Sequence, residues 1–160
     1  MSSESPPAVV LREARADDAG PLTRLFLDSR AAAMPYLPRV HSDEATLAWM
    51  TRVVLPGTDV RVAETGEGGG ARIAGFVSLD GAELEHLYIA PGLRRRGIGS
   101  LLLEAAKAAG PEGLALYTFQ RNTGARAFYE RHGFTAVAFD DGSRNEENEP
   151  DVRYRWSPAG

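Results

Sequence analysis

The stretch that decides the fold is LYIAPGLRRRGIGSLLLEAAK, residues 87–107. Its first three residues, Leu87 to Ile89, are an apolar run that favours a β-strand, and Pro91-Gly92 ends that strand. An apolar pattern with helical spacing then predicts a helix with one buried face, made by Ile98, Leu101, Leu102, Ala105 and Ala109. The residues in between therefore form a glycine-rich turn that leads from a strand into a helix.

This turn has the properties of an anion-binding site. The first N–H groups of a helix have no partner and the helix dipole is positive there, so a phosphate or pyrophosphate group fits. Gly97 and Gly99 allow the backbone to approach the anion, while Arg94, Arg95 and Arg96 add positive charge. A solvated run of charge before an ordinary helix is the alternative interpretation.

Two common phosphate-loop motifs do not match this turn. A Walker loop needs Lys-Ser or Lys-Thr after its last glycine, and a dinucleotide fingerprint needs a third glycine where Leu102 stands. What remains is Arg94-x-x-Gly97-x-Gly99, after a strand and before a helix. This pattern resembles the acyl-CoA signature of the GNAT (GCN5-related) N-acetyltransferases.

Composition predicts one globular domain over residues 1–160, with residues 1–7 as a loose tail. No apolar run approaches a membrane span, and the N-terminus lacks the basic start and apolar core of a signal peptide, so a cytoplasmic protein is expected. The absence of cysteine excludes disulfides and a cysteine acyl-enzyme. The three histidines show no His-Glu-x-x-His pattern, so no metal is expected. A net charge of −4 argues against nucleic acid as a partner.

Along the chain, turn residues and periodicity predict the element order β-α-α-β-β-β-α-β-α-β-β. The expected strands are 9–12, 59–65, 72–79, 82–89, 114–118, 135–139 and 152–156, the last of them at an edge of the sheet. The expected helices are 15–33, a second one capped by Ser42 and running to Pro56-Gly57, the central one, and 122–132. Residues 34–41, 66–70 and 140–150 are expected to be loops. This order is an α/β arrangement with helices around a mixed sheet.

The same order is that of the GNAT fold, and the resemblance covers most of the chain. It implies a central mixed, mostly antiparallel β-sheet flanked by helices on both faces. A second segment strengthens it: Asn122, Ala125, Phe128-Tyr129 and Gly133-Phe134 match the GNAT pattern Asn-x-x-Ala-x-x-Phe-Tyr-x-x-x-Gly-Phe. Without the family, Tyr129 is a packed aromatic with an exposed hydroxyl, and Asn122 is a helix cap.

The resemblance implies direct transfer of acetyl from acetyl-CoA to an amine, without an acyl-enzyme. In this interpretation Tyr129 is the acid that protonates the departing CoA thiolate, the backbone of Leu87 to Ile89 pairs with the pantetheine arm, and the Ile89 N–H is the candidate oxyanion donor. The bend that this requires at Ile89 is a bulge. The residues implied to bind acetyl-CoA are Leu87, Tyr88, Ile89, Arg94, Arg95, Arg96, Gly97, Ile98, Gly99, Ser100, Asn122 and Tyr129.

The base that deprotonates the amine is left open between two carboxylates and water. Glu83 and Glu85 lie on the same expected strand as Leu87, with the same side-chain parity, so both are expected to face the acceptor. Counted back from the glycine motif, Glu83 falls where histone-acetylating relatives carry their base, whereas Glu85 is nearer the thioester. Many relatives use water, and both carboxylates could also be plain surface.

The acceptor is expected between two irregular segments, residues 34–41 and 140–150, because GNAT relatives build the acceptor pocket there. Met34 and Tyr36 provide an apolar wall, and Glu146, Glu147 and Glu149 provide an acidic rim that attracts a cation. The hypothesis is a small cationic amine with an apolar part, and its alternative is a solvated acidic loop. Small amines, amino acids, antibiotics and the lysine or N-terminus of a protein all remain open. The different-class alternative is a non-catalytic, acyl-CoA-binding regulatory domain. Members of the family often form homodimers, although no stretch here indicates an interface.

Overall fold

The computed structural model describes residues 9–66, 72–94, 97–110 and 112–158. The predictions for residues 1–7, most of the 66–70 loop, and Arg95 and Arg96 fall outside these ranges. No helix in the described ranges is long and apolar enough to cross a membrane.

Seven strands and four helices follow in the predicted order. The strands are β1 (Val9–Glu13), β2 (Asp59–Thr65), β3 (Arg72–Asp80), β4 (Glu83–Ile89), β5 (Leu114–Phe119), β6 (Thr135–Asp140) and β7 (Asp151–Trp156). The helices are α1 (Ala19–Ala33), α2 (Asp43–Trp49), α3 (Ile98–Ala109) and α4 (Thr123–Arg131). A short 3₁₀ turn (Ala16–Asp18) precedes α1, and α2 continues through a π-helical turn (Met50–Val54) into a last helical turn (Leu55–Gly57). Sequence reasoning therefore gave each element correctly, to within a few residues.

Local signals explain where the helices begin and end. The Ser42 side chain accepts a hydrogen bond from the Ala45 N–H at the start of α2, and the Asn122 side chain does the same for Ala125 at the start of α4. Gly133 adopts a φ of 89° just after α4, in the left-handed region that favours glycine. These caps confirm the boundaries predicted for both helices.

The strands form one sheet in the order β1-β2-β3-β4-β5-β7-β6, with all neighbours antiparallel except β4 and β5. The prediction that residues 152–156 form an edge strand is wrong, because β7 lies between β5 and β6. Val152 and Tyr154 are fully buried, and the alternating arginines that suggested an edge lie on the other face of the strand. The edge strand on this side of the sheet is β6, whose Val137 and Phe139 are exposed.

Apolar side chains cover both faces of the sheet. One cluster joins α3 and α4 to one face through residues such as Leu102 and Phe134, and the other joins α1 and α2 to the opposite face through Leu22, Met50 and Phe76. The helices on both faces were expected. The buried stripe of α3 is shifted from the predicted one, since Leu101 and Ala109 are exposed. Its buried residues are Ile98, Leu102, Leu103 and Ala106.

Candidate active site

The sheet opens between its two parallel strands. In the described residues β4 and β5 pair at one position, Glu83 with Ala115, where the Ala115 N–H donates to the Ala82 carbonyl at 2.9 Å. Both strands then run on, to Ile89 and to Phe119. A V-shaped opening with free backbone groups along β4 results.

The direction of those groups follows from the pairing of β4 with β3. The Ala90 N–H donates to the Ala74 carbonyl at 2.8 Å, so the N–H groups of Leu87 and Ile89 point away from β3 and into the opening. An extended chain with amide groups, such as a pantetheine arm, can add to this edge as a further strand. The N–H groups of Leu87 and Ile89 thus point into the opening, and their role as donors to acetyl-CoA stays a prediction.

A bulge in β4 changes the predicted direction of the two acidic side chains. Ser78 pairs with His86 and Leu79 with Leu84, which leaves Glu85 as the extra residue, so the bulge is at Glu85 and not at Ile89. Because of this bulge, Leu84 packs into the same cluster as Leu87. The prediction that Glu83 shares the face of Leu87 is therefore wrong, and Glu83 points to the face that carries α1 and α2.

The two carboxylates have different surroundings. Glu83 accepts two hydrogen bonds from Arg153, with 2.9 Å between Arg153 Nη2 and Glu83 Oε1. Burial raises the pKa of Glu85, and the negative charges of Glu83 and Asp80 raise it further, while Arg153 acts in the opposite direction. Glu85, which is exposed, thus has a raised pKa, whereas Glu83 is held in an ion pair.

In the glycine turn before α3, Gly97 and Gly99 both stand where a larger residue fits poorly. Gly97 has a φ of 79°, and a Cβ at Gly99 would lie 3.3 Å from the ring of Phe128. Gly99 is therefore also required for the packing of α3 against α4. The Arg94 guanidinium donates to the Ser29 carbonyl at 3.4 Å, which ties this turn to α1. Residues 97–100 present the start of a twelve-residue helix, which suits a pyrophosphate.

Tyr129 lies on α4 and is buried, with its ring 5.3 Å from Phe128 and 5.5 Å from Phe134 between ring centroids. Burial raises the pKa of the Tyr129 hydroxyl well above its ordinary value. The hydroxyl therefore keeps its proton throughout the neutral range, as a general acid must. Asn122 serves as the N-cap of this helix, which is its structural role.

A cavity of about 760 Å³ lies between α1, residues 34–41 and α2. Phe26, Trp49 and His86 form an aromatic floor, with 5.3 Å between the Phe26 and Trp49 centroids and 5.1 Å between Trp49 and His86. Met34, Glu146 and Glu147 line this cavity, as predicted for the acceptor side. Tyr36 is not among the lining residues. Its ring lies 3.8 Å under the guanidinium of Arg121 instead.

The acidic segment at residues 140–150 contacts two arginines and one histidine on three other parts of the chain. Glu147 binds Arg30 of α1 at 3.0 Å, Glu146 lies 3.0 Å from His41 Nε2, and Glu149 binds Arg121 at 2.7 Å. The interpretation as a loose, solvated loop does not fit these contacts. Each of the three carboxylates predicted to form an acidic rim has a side-chain partner within the chain.

Sequence reasoning missed four residues of this region. His86 is in the cavity floor, where burial and the nearby charge of Arg30 lower its pKa to about 4, so the ring is neutral at neutral pH. Arg30 donates both to Tyr88 Oη at 3.2 Å and to Glu147. Arg153 holds Glu83, and His132 contacts Ser100. The only sequence signal for His86 was its place on β4; the other contacts join residues 32 or more positions apart.

Comparison with known proteins places this geometry in a family context. Residues 56–136 match the acetyltransferase (GNAT) domain. The chain is 30% identical over 124 residues to the peptidyl-lysine N-acetyltransferase YjaB of Salmonella typhimurium, covering 78% of this chain and 81% of that protein. It is 37% identical over 67 residues to the peptidyl-lysine N-acetyltransferase YiaC of Escherichia coli, covering 41% and 45%. The solution structure of apo YjaB from Escherichia coli superposes with a TM-score of 0.76 at 23% identity, covering 95% of this chain and 99% of the other.

Proposed function

Since the chain belongs to the GNAT family of acetyltransferases and is an acetyl-CoA-dependent N-acetyltransferase, we propose that its acceptor is the side-chain amine of a lysine in a peptide or protein. Two relatives that bear the name peptidyl-lysine N-acetyltransferase support this choice. The observation that carries it is the cavity beside β4, with an aromatic floor and a charged rim. A lysine side chain has the same division, because an apolar stem of four carbons ends in an ammonium group.

The fit of a lysine to this cavity has a direct physical basis. The rings of Phe26 and Trp49 line the cavity and offer apolar surface to the methylene groups, while the guanidinium of Arg30 already lies 5.2 Å from the centroid of the Phe26 ring. The floor reaches β4 at His86, which is neutral and so does not repel the ammonium group. Glu146 at the rim has more than half of its side chain exposed, so it can attract a cation on approach.

The donor fits the opening between β4 and β5. Acetyl-CoA supplies the acetyl group as a thioester. The backbone of Leu87 and Tyr88 pairs with the pantetheine arm, with the Leu87 N–H as a donor, and the N–H groups of residues 97–100 bind the pyrophosphate. The family resemblance also implies contacts to acetyl-CoA from Tyr88, Arg94, Arg95, Arg96 and Asn122. These contacts stay predictions.

The reaction requires two further roles, which we assign to Ile89 and Tyr129. The Ile89 N–H donates to the carbonyl oxygen of the thioester where negative charge develops. The Tyr129 hydroxyl, which is protonated throughout the neutral range, gives its proton to the departing sulfur.

Glu85 is the stronger candidate for the base, with Glu83 as the second. A base must be ionised and yet must bind a proton readily, which a carboxylate with a raised pKa does better than one held in a bidentate ion pair. Glu85 takes the proton from the lysine ammonium directly or through one water molecule.

The experiment is acetyl-CoA turnover, followed by thiol release, with a lysine peptide, the same peptide with arginine in place of lysine, and a panel of small amines. We expect the lysine peptide to give the highest kcat/KM and the arginine peptide to give none. A small amine that outperforms every lysine peptide would contradict the proposed acceptor. A chain that binds acetyl-CoA but turns over nothing would favour the regulatory-domain alternative. Cytoplasmic location and dimerisation stay predictions.

A further inference from the structure

One hydrogen bond shows which nitrogen carries the proton when the His132 ring is neutral. His132 Nδ1 lies 2.8 Å from the carbonyl oxygen of Phe128. A carbonyl can only accept, so Nδ1 carries a hydrogen. In a neutral imidazole the other nitrogen, Nε2, is then an acceptor. It lies 3.0 Å from Ser100 Oγ, and the Ser100 hydroxyl therefore donates its proton to His132.

This arrangement conflicts with phosphate binding at the same place. Ser100 is the third residue of α3, at the helix start where we place the pyrophosphate of acetyl-CoA. A hydroxyl has one proton, and the bond to neutral His132 uses it, so Ser100 can offer a phosphate oxygen only lone pairs. A doubly protonated His132 reverses this bond. Nε2–H then donates to Ser100 Oγ, and the hydroxyl proton becomes free for the phosphate.

We propose that His132 is a positioning residue for the cofactor, which binds a proton when the pyrophosphate binds and thereby turns the Ser100 hydroxyl towards the phosphate. The proton comes from the solvent and goes to Nε2, and no other bond to hydrogen is made or lost. The inference rests on the proposed placement of the pyrophosphate at residues 97–100. It adds to the binding of the donor a residue that stands at an unspecified position of the second family motif.

The groups around His132 either oppose or favour the positive charge that a second proton brings to the ring. On the α3 side, Lys107 Nζ donates to the backbone carbonyl of His132 at 2.6 Å, and Glu104 lies 3.5 Å from that ammonium. On its own helix the ring lies 4.5 Å from the ring of Phe128, and Arg131 is exposed beside it. Lys107 opposes protonation, while a phosphate anion favours it. The coupling therefore depends on the ligand, since the phosphate brings the negative charge.

Calorimetry with dephospho-CoA tests the inference, because this ligand lacks the 3′-phosphate that itself titrates near neutral pH. Dissociation constants are measured from about pH 5.5 to 7.5, the range in which histidines change charge, in buffers of different ionisation heat. We expect binding to take up protons and the dissociation constant to fall with falling pH, by at most about tenfold per pH unit for one proton. His132→Gln and Ser100→Ala should both remove this proton uptake. His41→Gln, which changes a histidine of the acceptor cavity, should retain it.

Nitrogen NMR of the ring separates the inference from the placement on which it rests. On addition of dephospho-CoA we expect the amides of residues 97–100 to shift, and His132 to change from a neutral ring with Nδ1–H to a ring protonated on both nitrogens. Shifted amides with a ring that stays neutral would overturn the role of His132 while leaving the placement intact. Amides that do not respond would overturn the placement, and the role of His132 with it.

Discussion

Arg153 holds Glu83 in a two-point ion pair that reaches from β7 past β5 to β4, with Nη2 to Oε1 at 2.9 Å and Nη1 to Oε2 at 2.5 Å. The guanidinium also lies 4.5 Å from the ring centroid of Tyr117 on β5. With both oxygens of Glu83 engaged in this ion pair, the neighbouring carboxylate, Glu85, is the one that we propose for proton transfer.

The first prediction separates the two carboxylates. Glu85→Gln should lower kcat/KM by roughly 10², the usual range for loss of a general base, and Glu83→Gln should lower it less. In the wild type, kcat/KM should rise with pH as Glu85 ionises, because only the carboxylate accepts a proton. Profiles of kcat/KM against pH measure both effects. If neither variant changes the profile, water or the ionisation of the acceptor itself is sufficient.

The second prediction concerns the direction of that pH profile. Burial raises the pKa of Glu85, and the negative charges of Glu83 and Asp80 raise it further. The positive charge of Arg153 lowers it. Arg153→Met should therefore raise the pKa of Glu85 and move the acidic limb of kcat/KM to higher pH. A control is Arg144→Met, which removes an exposed arginine paired with Asp140 and should leave the limb in place. A limb that stays fixed in Arg153→Met would exclude Glu85 as the titrating group.

The third prediction tests Tyr129 as the acid. Tyr129→Phe should lower kcat by roughly 10² with little change in acetyl-CoA affinity, because only a buried hydroxyl is removed. The raised pKa implies that deprotonation of Tyr129 causes no loss of rate in the neutral range. The matched control is Tyr154→Phe, a second buried tyrosine whose hydroxyl donates to Glu130 at 2.6 Å. The control should lose stability, by about 1 kcal/mol, and keep kcat. Wild-type kcat in Tyr129→Phe would make Tyr129 a packing residue.

The fourth prediction concerns the acidic segment. Glu147 and Arg30 form a pair with 13% and 23% of their side chains exposed, so Glu147→Gln should disturb the link between this segment, α1 and Tyr88. We expect a raised KM for the amine and an unchanged dissociation constant for acetyl-CoA. The control is Glu146→Gln, whose carboxylate is more than half exposed and whose effect should fade with added salt. Equal, salt-independent effects of both changes would contradict a charged rim.

The fifth prediction uses the sole lysine of the sequence, Lys107. Its side chain is 14% exposed, donates to the His132 carbonyl, and lies 4.9 Å from the centroid of the Trp156 ring. We expect the native enzyme to leave its own Lys107 unacetylated during turnover, and the unfolded chain to be acetylated there by a chemical reagent. Peptide mass spectrometry distinguishes the two states. Acetylation of Lys107 in the folded enzyme would contradict this burial.

The sequence predicted the features that local chemistry determines. The turn around Gly97, the cap at Asn122 and the left-handed Gly133 each follow from residues within a few positions of one another, and all three are found. The face of Glu83 could not be predicted in this way. It depends on a bulge at Glu85, which exists only when β4 is paired with β3.

The remaining differences between the predictions and the structure also come from contacts between residues that are far apart in the sequence. The alternation of arginine with apolar residues in β7 suggested an edge strand. In the structure β6 pairs with β7 on the side away from β5, so β7 is an interior strand. The carboxylates of residues 146–149 look like free charges in the sequence, yet their partners Arg30, His41 and Arg121 lie 117, 105 and 28 positions away. Pairwise contacts at such separations leave no periodic signal in a single sequence.

The most direct test of the central claim is to follow one reaction in two ways, with acetyl-CoA and a lysine peptide as substrates. Thiol release measures the loss of CoA, and mass spectrometry measures acetyl on the lysine side chain. We predict equal amounts of thiol and acetyl-lysine with the wild type, and a parallel fall of both with Tyr129→Phe. Thiol release without acetyl-lysine, or acetyl-lysine formed as fast by the Tyr129→Phe variant as by the wild type, would contradict the account.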